Sequence, residues 1–496
     1  MSDQAEVVDE QVAEGQAAPT TEHSAGLADL FEVPLMSVLN SRRTRRIARG
    51  TSIKSGQISH ESQNQPEPLT KLEEAVLIVA SGTTGFVMHD GPLQTPAGGT
   101  ELGTPFVKVA GRSAPSPDNA QAAVLFMLND EGTWLLKRLS SREAVELYRE
   151  MPPRWKDWSE SDWIAAADLV KVKVYDKRLE FPREWPYYIG WNKQISNVPG
   201  STVFTPLVDC TYQYINAFLI LASEPDGQRS LFVDDFRTFH PKTLQDWVAW
   251  VASNLKLAPK IPYHPIGGIK RVRSGFVNPD NVVPLGLART FRTDHDSFFL
   301  LQNLNLVGEA LGVGGWIHAS IFPPYIMQRR PEKGWYGYGF REQQPKNPYR
   351  WPPLPASQPN YVGIDGFLEG LCPPYVKSMD EAVDKVMEMK LGAAGCYGEK
   401  DIFAKPYKDS AHASEYLRLM EPHSPRAIDY AKEICNYIYD TYGRFPAHTN
   451  AFYNPGIWIQ FSHLEMEYYE KFAQPWYYVR QAAHDGLWHG NGAGGP

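Results

Sequence analysis

Cysteine is scarce in this sequence, and what there is does not cluster. Cys210, Cys372, Cys396 and Cys435 form no Cys-x-x-Cys pair and no zinc-finger spacing. That excludes a disulfide scaffold and a cysteine-built metal centre, and suits buried, reduced thiols in a reducing compartment. Long apolar runs are missing too. The most apolar window, residues 308–327, contains Glu309, His318 and two prolines, so no membrane-spanning helix is expected. Positive charge is in short supply: 49 Lys and Arg against 57 Asp and Glu give a net charge of -8. Nucleic acid is therefore not an expected partner, because phosphate binding needs a broad basic surface. The first residues are acidic and polar without an apolar segment; no secretory signal is expected, and the expected location is cytoplasmic.

What is present suits a soluble globular protein, with 43% hydrophobic and 21% charged residues. A length of 496 residues exceeds one ordinary core. Residues 1–28 are poor in large apolar groups and are expected to be disordered. Residues 29–330 are expected to form the core with insertions, and 331–480 a C-terminal extension packed on it. Residues 481–496 are expected to be a flexible tail, with His484 and His489 unstructured. The spacing predicts a helix over 70–80, a hairpin over 123–139 turning at Asp130-Glu131-Gly132, and strands over 215–224 and 230–236. Helices are predicted over 243–257, 379–390 and 425–442. The strongest helix signal is 294–311, apolar nearly all round and stopped by Gly312, so it should be buried on most sides. The architecture expected is α+β.

Three segments carry chemistry. Ser41-Arg42-Arg43-Thr44-Arg45-Arg46 ends a helical stripe. Guanidinium forks match phosphate oxygens and a hydroxyl adds a donor, although a solvated basic face has the same composition. Residues 114–121, Ala-Pro-Ser-Pro-Asp-Asn-Ala-Gln, are turn chemistry that also places Ser116, Asn119 and Gln121 where they can read the edge of a heterocycle. After the long helix, Gly312, Gly314 and Gly315 permit tight backbone and leave amides open to a ligand.

In this order the three segments resemble the FMN-dependent nitroreductase superfamily. Its members carry an Arg-Arg-Ser/Thr-x-Arg helix end and an Ala-Pro-Ser-x-x-Asn-x-Gln loop before a strand. A long central helix reading Asn-Leu-x-Leu through Leu-Gly-x-Gly follows. The hairpin after the second segment is similar to that of the azoline-oxidase branch. The resemblance implies a three-layer fold with an antiparallel mixed sheet flanked by helices, and a homodimer with flavin at the subunit interface. It implies that Arg42, Arg43, Thr44 and Arg46 hold the FMN phosphate. Ser116, Asn119 and Gln121 would line the ring and ribityl chain, and Gly314, Gly315 and Trp316, on the segment running to His318, would lie along one ring face. NADH or NADPH would supply hydride, and an electron-poor small molecule would accept it. Two departures stand out: an insertion of residues before the Pro-Ser loop, and Gln121-Ala122-Ala123 where the family often has Gln-Pro-Trp.

Such chemistry needs no dedicated acid; His318 is the first candidate for one, and a neutral buried histidine is the alternative. His448, His463, Glu465 and Glu467 form a second group, with His463 and Glu467 on one face if the segment is helical. The exposed face of an amphipathic segment explains them as well, and no metal is expected. Two other functions stay open: a redox-inactive ligand-binding module serving a partner protein, and a metal-dependent enzyme built on the C-terminal His and Glu residues.

Overall fold

The computed structural model describes residues 24–490 apart from short internal stretches, chiefly 95–99, 236–243, 258–263, 289–292 and 346–358. Most of the predicted helix over 243–257 lies outside the described residues. So do residues 1–23 and 491–496.

Strands of continuous apolar character need cover on both faces, and the main sheet has it. This seven-stranded sheet runs Gly314–His318, Trp458–Ser462, Ser201–Asp209, Ala123–Asn129, Gly132–Leu136, Lys171–Tyr175. Phe452–Tyr453 pairs with the other end of Ser201–Asp209. Each neighbouring pair is antiparallel. Successive strand residues point to opposite faces. Ala123, Leu125 and Met127 therefore pack with Leu300, Leu301 and Leu304 of the helix Thr293–Leu311 and with Val76 of the helix Lys71–Ala80. Val124, Phe126 and Leu128 face the other way, among Phe218, Val383 and Tyr430. Those three side chains come from the helices Thr211–Ser223, Met379–Leu391 and Pro425–Tyr442. The result is a mixed α+β fold in which helices cover both faces of an antiparallel sheet.

Local signals explain several of these elements. Thr70 and Glu73 form a reciprocal capping box at the start of Lys71–Ala80. Asn129 Oδ1 accepts the amides of Glu131 and Gly132 and so closes the predicted hairpin turn. Gly312, at φ +86°, ends the central helix in a conformation that favours glycine.

Four expectations need correction. Residues 215–223 are not a strand but lie in the helix Thr211–Ser223, with Glu224 just after its end. That run is apolar on every face, so period alone did not distinguish the two, and burial on almost every side decided for the helix. The C-terminal region is not an extension laid on a finished core, because Trp458–Ser462 lies inside the sheet between Gly314–His318 and Ser201–Asp209. The expected tail is helical over Val479–Trp488. The end of the segment expected to be disordered enters the helix Ala25–Glu32.

The central helix crosses the strand Trp458–Ser462 at Gly308, where an added Cβ would stand 2.2 Å from Cε1 of Phe461. Gly308→Ala is therefore expected to lower stability by about 1–3 kcal/mol through overpacking, despite alanine's better helix propensity. Urea denaturation measures this; an unchanged or raised midpoint would show that Phe461 yields freely.

Candidate functional site

The arginine run follows the short helix Leu35–Ser41, which packs on the central helix. One of its members is structural. Arg45 is buried and donates from Nη1 to Glu309 Oε2 at 2.6 Å, with further bonds to the carbonyls of Tyr477 and Ser41. Both ions of this pair are almost fully withdrawn from water, so each depends on the other. Anchoring Arg45 leaves its neighbours facing outward. Arg43 and Thr44 are exposed, and Arg42 is half-buried at the helix end. Among the described residues Arg43 bonds only to the nearby carbonyls of Asn40 and Arg42, at 2.8 Å. Arg46 is exposed and meets Asn192 Oδ1.

The glycine strand lies against this loop. A Cβ on Gly314 would stand 3.1 Å from the Arg45 carbonyl and closer still to Leu464, so only glycine lets the two backbones approach. Gly314–His318 is the edge of the sheet, and one side of its backbone is therefore not used by a neighbouring strand. Just beyond it, Ala319 and Ser320 join Arg46, Ile189, Gly190, Trp191 and Asn192 around an open groove of about 500 Å³. Ser320 Oγ is buried and has no partner among the described residues.

Trp316 and His318 are buried and stacked, ring centroids 4.1 Å apart. The Ser320 amide donates to His318 Nδ1 at 3.3 Å, which leaves the proton of the neutral ring on Nε2. Burial pushes the His318 pKa down to about 3. The residue is thus neutral at physiological pH and is no reservoir of protons, so of the two readings of His318 the neutral buried histidine holds and the acid does not.

The Pro-Ser loop is elsewhere. Asp296, near the start of the central helix, accepts the amide of Ala122 at 2.6 Å and a bond from Ser116. Glu309 lies thirteen residues further along the same helix, or about 20 Å at the α-helical rise. Within one chain the Pro-Ser loop and the arginine loop therefore stand at opposite ends of that helix. The polar groups of the Pro-Ser loop are also engaged. Ser116 Oγ accepts from the Gln121 amide at 2.7 Å; Asn119 Nδ2 donates to the Lys108 carbonyl at 2.6 Å. Gln121 Nε2 donates to the Ala110 carbonyl and to Asn119 Oδ1. Asn119 and Gln121 both hold positive φ, 47° and 49°, and the loop uses its own side chains to keep that turn. They are not free to read a ligand edge from this chain.

Around this loop stand cations that the sequence reading missed. Arg112 donates to the Ala123 carbonyl, and Arg138 to the Gln121 carbonyl, the Tyr212 hydroxyl and Asp209. Burial pushes Lys108 down to about 7 and Arg112 down to about 10, with Arg138 adding repulsion. No spacing in the sequence marks them, because a lone Arg or Lys at a strand end carries no pattern.

The C-terminal His and Glu group is split: Glu465 and Glu467 stay together beside His60, and the two histidines go elsewhere. Its supposed helix is a strand followed by a separate helix Met466–Phe472, so His463 and Glu467 share no helical face. His448 lies by Asp234 and Asp235. Glu465 is buried and takes bonds from Ser62 and Asn64, while Glu467 is exposed. His463 instead joins His484 and His489, the two expected in a flexible tail, around the buried Glu73. Burial alone would raise the Glu73 carboxyl, but the three imidazoles outweigh it and hold the group ionised. No local signal announces this grouping: Glu73 reads as a helix-capping residue, and its partners lie hundreds of positions away.

The chain matches no protein-family model and no curated protein.

His318 gives a pH dependence with a defined sign. Its folded pKa lies below the ordinary 6.5, so unfolding takes up a proton between those values. The stability it contributes is fully present above about pH 6.5 and is lost as pH falls toward 3, at no more than about 1.4 kcal/mol per pH unit. His423, pushed to about 3 by burial beside Lys390, acts in the same direction. Midpoints of urea unfolding across pH 4–7 (roughly the window these shifts define) should fall less steeply on acidification in His318→Gln than in the wild type. Parallel slopes would mean that His318 is not buried neutral.

Proposed function

We propose that the chain is an FMN-dependent oxidoreductase with a nitroreductase-like fold. It would move a hydride between a nicotinamide cofactor, or an organic substrate, and an electron-poor small molecule. The observation that carries the reading is the meeting of two distant motifs: Arg46, from the arginine run, and Ser320, just past the glycine strand, line one open groove. Three features suit a flavin phosphate and ring there. Arg42, Arg43 and Arg46 present guanidinium groups that no acid neutralises among the described residues. The edge strand Gly314–His318 offers backbone donors and acceptors beside them. The Ser320 hydroxyl is buried and unpartnered.

Bound FMN supplies the hydride chemistry; the chain's task is to bind it and orient it. In this reading the arginines and Thr44 grip the phosphate, and the strand backbone holds the ring against one wall. The neutral His318 fixes the strand's turn through the Ser320 amide rather than moving a proton.

The separation of the two loops supports a homodimer. Leu35, Met36 and Leu39 are exposed on the short helix, and Phe298 and Phe299 on the central helix packed against it. Exposed apolar groups on two packed helices suit a covered face. In this reading a second copy covering them would supply the Pro-Ser loop to the arginine loop of the first.

The purified protein is expected to be yellow and to bleach with NADH or NADPH. Arg42→Ala combined with Arg46→Ala removes two charge-assisted contacts of about 1.5–3 kcal/mol each, weakening FMN binding by about 10²–10⁴-fold. Equilibrium dialysis reads that change, and an unaltered affinity would remove the arginine loop from the site. Leu39→Glu with Phe298→Glu should yield a monomer that has lost its flavin. A wild-type chain that stays colourless after incubation with FMN sinks the reading altogether.

A further inference from the structure

We propose that Glu73 and the imidazoles of His463, His484 and His489 form a closed, four-coordinate site for one zinc ion that fastens the C-terminal helix to the core. The proposal stands apart from the flavin reading and shares no ligand with it.

The four side chains come from three places. Glu73 sits in the first turn of the helix Lys71–Ala80, and His463 follows the inner strand Trp458–Ser462. His484 and His489 belong to the helix Val479–Trp488 and the residue after it. All converge through equivalent atoms. The Nε2 atoms of His463, His484 and His489 lie 3.2, 2.8 and 3.3 Å from Glu73 Oε1. The three rings form a nearly equilateral triangle, with centroids 5.2, 5.0 and 5.3 Å apart. A tetrahedral zinc with ligands at 2.0–2.1 Å has ligand–ligand edges of about 3.3 Å, close to these separations.

Proton placement argues for a metal ion at the centre. His484 Nδ1 lies 2.9 Å from the Leu311 carbonyl, an acceptor, and so carries the ring proton. In the neutral ring, Nε2 then directs a lone pair at a carboxylate oxygen 2.8 Å away, which is repulsive unless a cation lies between them. His489 Nδ1 faces Asp485 at 3.6 Å, and His463 Nδ1 faces Glu67 at 4.0 Å. Nε2 of both His484 and His489 is buried without a hydrogen-bond partner among the described residues. Satisfying the cluster with protons alone would make His484 an imidazolium and crowd three N–H donors onto one carboxylate oxygen. A single divalent ion meets the same geometry with neutral rings, and the His484 ring is backed by a carbonyl oxygen as metal-bound histidines usually are. The other Glu73 oxygen accepts the Thr70 amide at 2.6 Å, which fixes the carboxylate's orientation.

Ligand chemistry selects the ion. Three nitrogens exclude magnesium and calcium, which prefer oxygen, and a triangle capped by a carboxylate is not the square plane of copper(II). Burial selects the role. Side-chain exposure is 0% for Glu73, 1% for His463, 4% for His484 and 11% for His489. Four protein ligands without an open position mark a structural site rather than a catalytic one.

The full-length chain, incubated with zinc and desalted, is expected to retain one zinc per chain by elemental analysis. Loaded with cobalt(II) instead, it should show the intense visible bands of four-coordinate cobalt. Chelation should lower the melting temperature, and zinc should restore it. His489→Gln, at the least buried ligand, should fold and lose the metal, as should Glu73→Gln. The proposal is overturned if folded wild-type chain retains no zinc after loading. It is equally overturned if His489→Gln retains as much as the wild type, or if bound cobalt shows only the weak bands of six-coordination. Metal content is independent of colour, so a failure here leaves the flavin reading untouched, and the reverse holds too.

Discussion

The central helix Thr293–Leu311 cannot be buried without partners for the charges it carries, and that requirement organises the molecule. Asp296 and Glu309 are both withdrawn from solvent. A buried carboxylate must be paired or hydrogen-bonded, or it neutralises. Asp296 meets the need by accepting the Ala122 amide and the Ser116 hydroxyl, which fixes the Pro-Ser loop. Glu309 meets it by pairing with Arg45, which fixes the arginine loop. Each carboxylate thus holds one of the two loops that the flavin reading needs, and the helix between them sets their spacing.

The Arg45–Glu309 pair also sorts the arginines by role. Five positions of the run, residues 42–46, contain four arginines. The one turned inward is neutralised and holds the backbone, and next to that anchor Arg46 lines the groove. A loop kept in place by a buried ion pair can present guanidinium groups with little further ordering, which is what a phosphate site requires. Gly314 completes the device from the other side, because any side chain there would push the strand off the loop.

Local signals in the sequence were legible and long-range pairings were not. The helices Lys71–Ala80 and Pro425–Tyr442 and the hairpin after Ala123 follow from capping residues, proline at a helix start and an Asn-bonded turn. The arginine run and the glycine strand could be singled out because their residue types are unusual at that density. Nothing in the chain announced that Trp458–Ser462 inserts beside Gly314–His318, since an inner strand and a buried helix segment share one composition. The apolar run over 215–224 failed for the same reason. The His cluster was hidden by separation, with Glu73 and His463 390 residues apart. Arg45 was legible as an arginine, but its inward turn depends on Glu309, which no local pattern pairs with it.

The last turn of the central helix shows why the C-terminal segment belongs to the core. A helix ends with carbonyls that lack partners, and basic groups near them are favourable. Here both come from the helix Val479–Trp488: Arg480 donates to the Ala310 carbonyl and His484 to that of Leu311. Gly312 makes this possible, because a Cβ there would stand 2.8 Å from the Arg480 carbonyl. Arg480 in turn pairs with Asp29 of the first described helix, which ties an early and a late helix to one point. That point, at Ala310 and Leu311, lies one to two residues after Glu309 and shortly before the strand Gly314–His318. The His484 ring therefore faces the Glu73 cluster with one nitrogen and holds the central helix with the other. Whatever loosens the cluster loosens the same helix end that positions the arginine loop, so the two sites share a mechanical support although they share no residue.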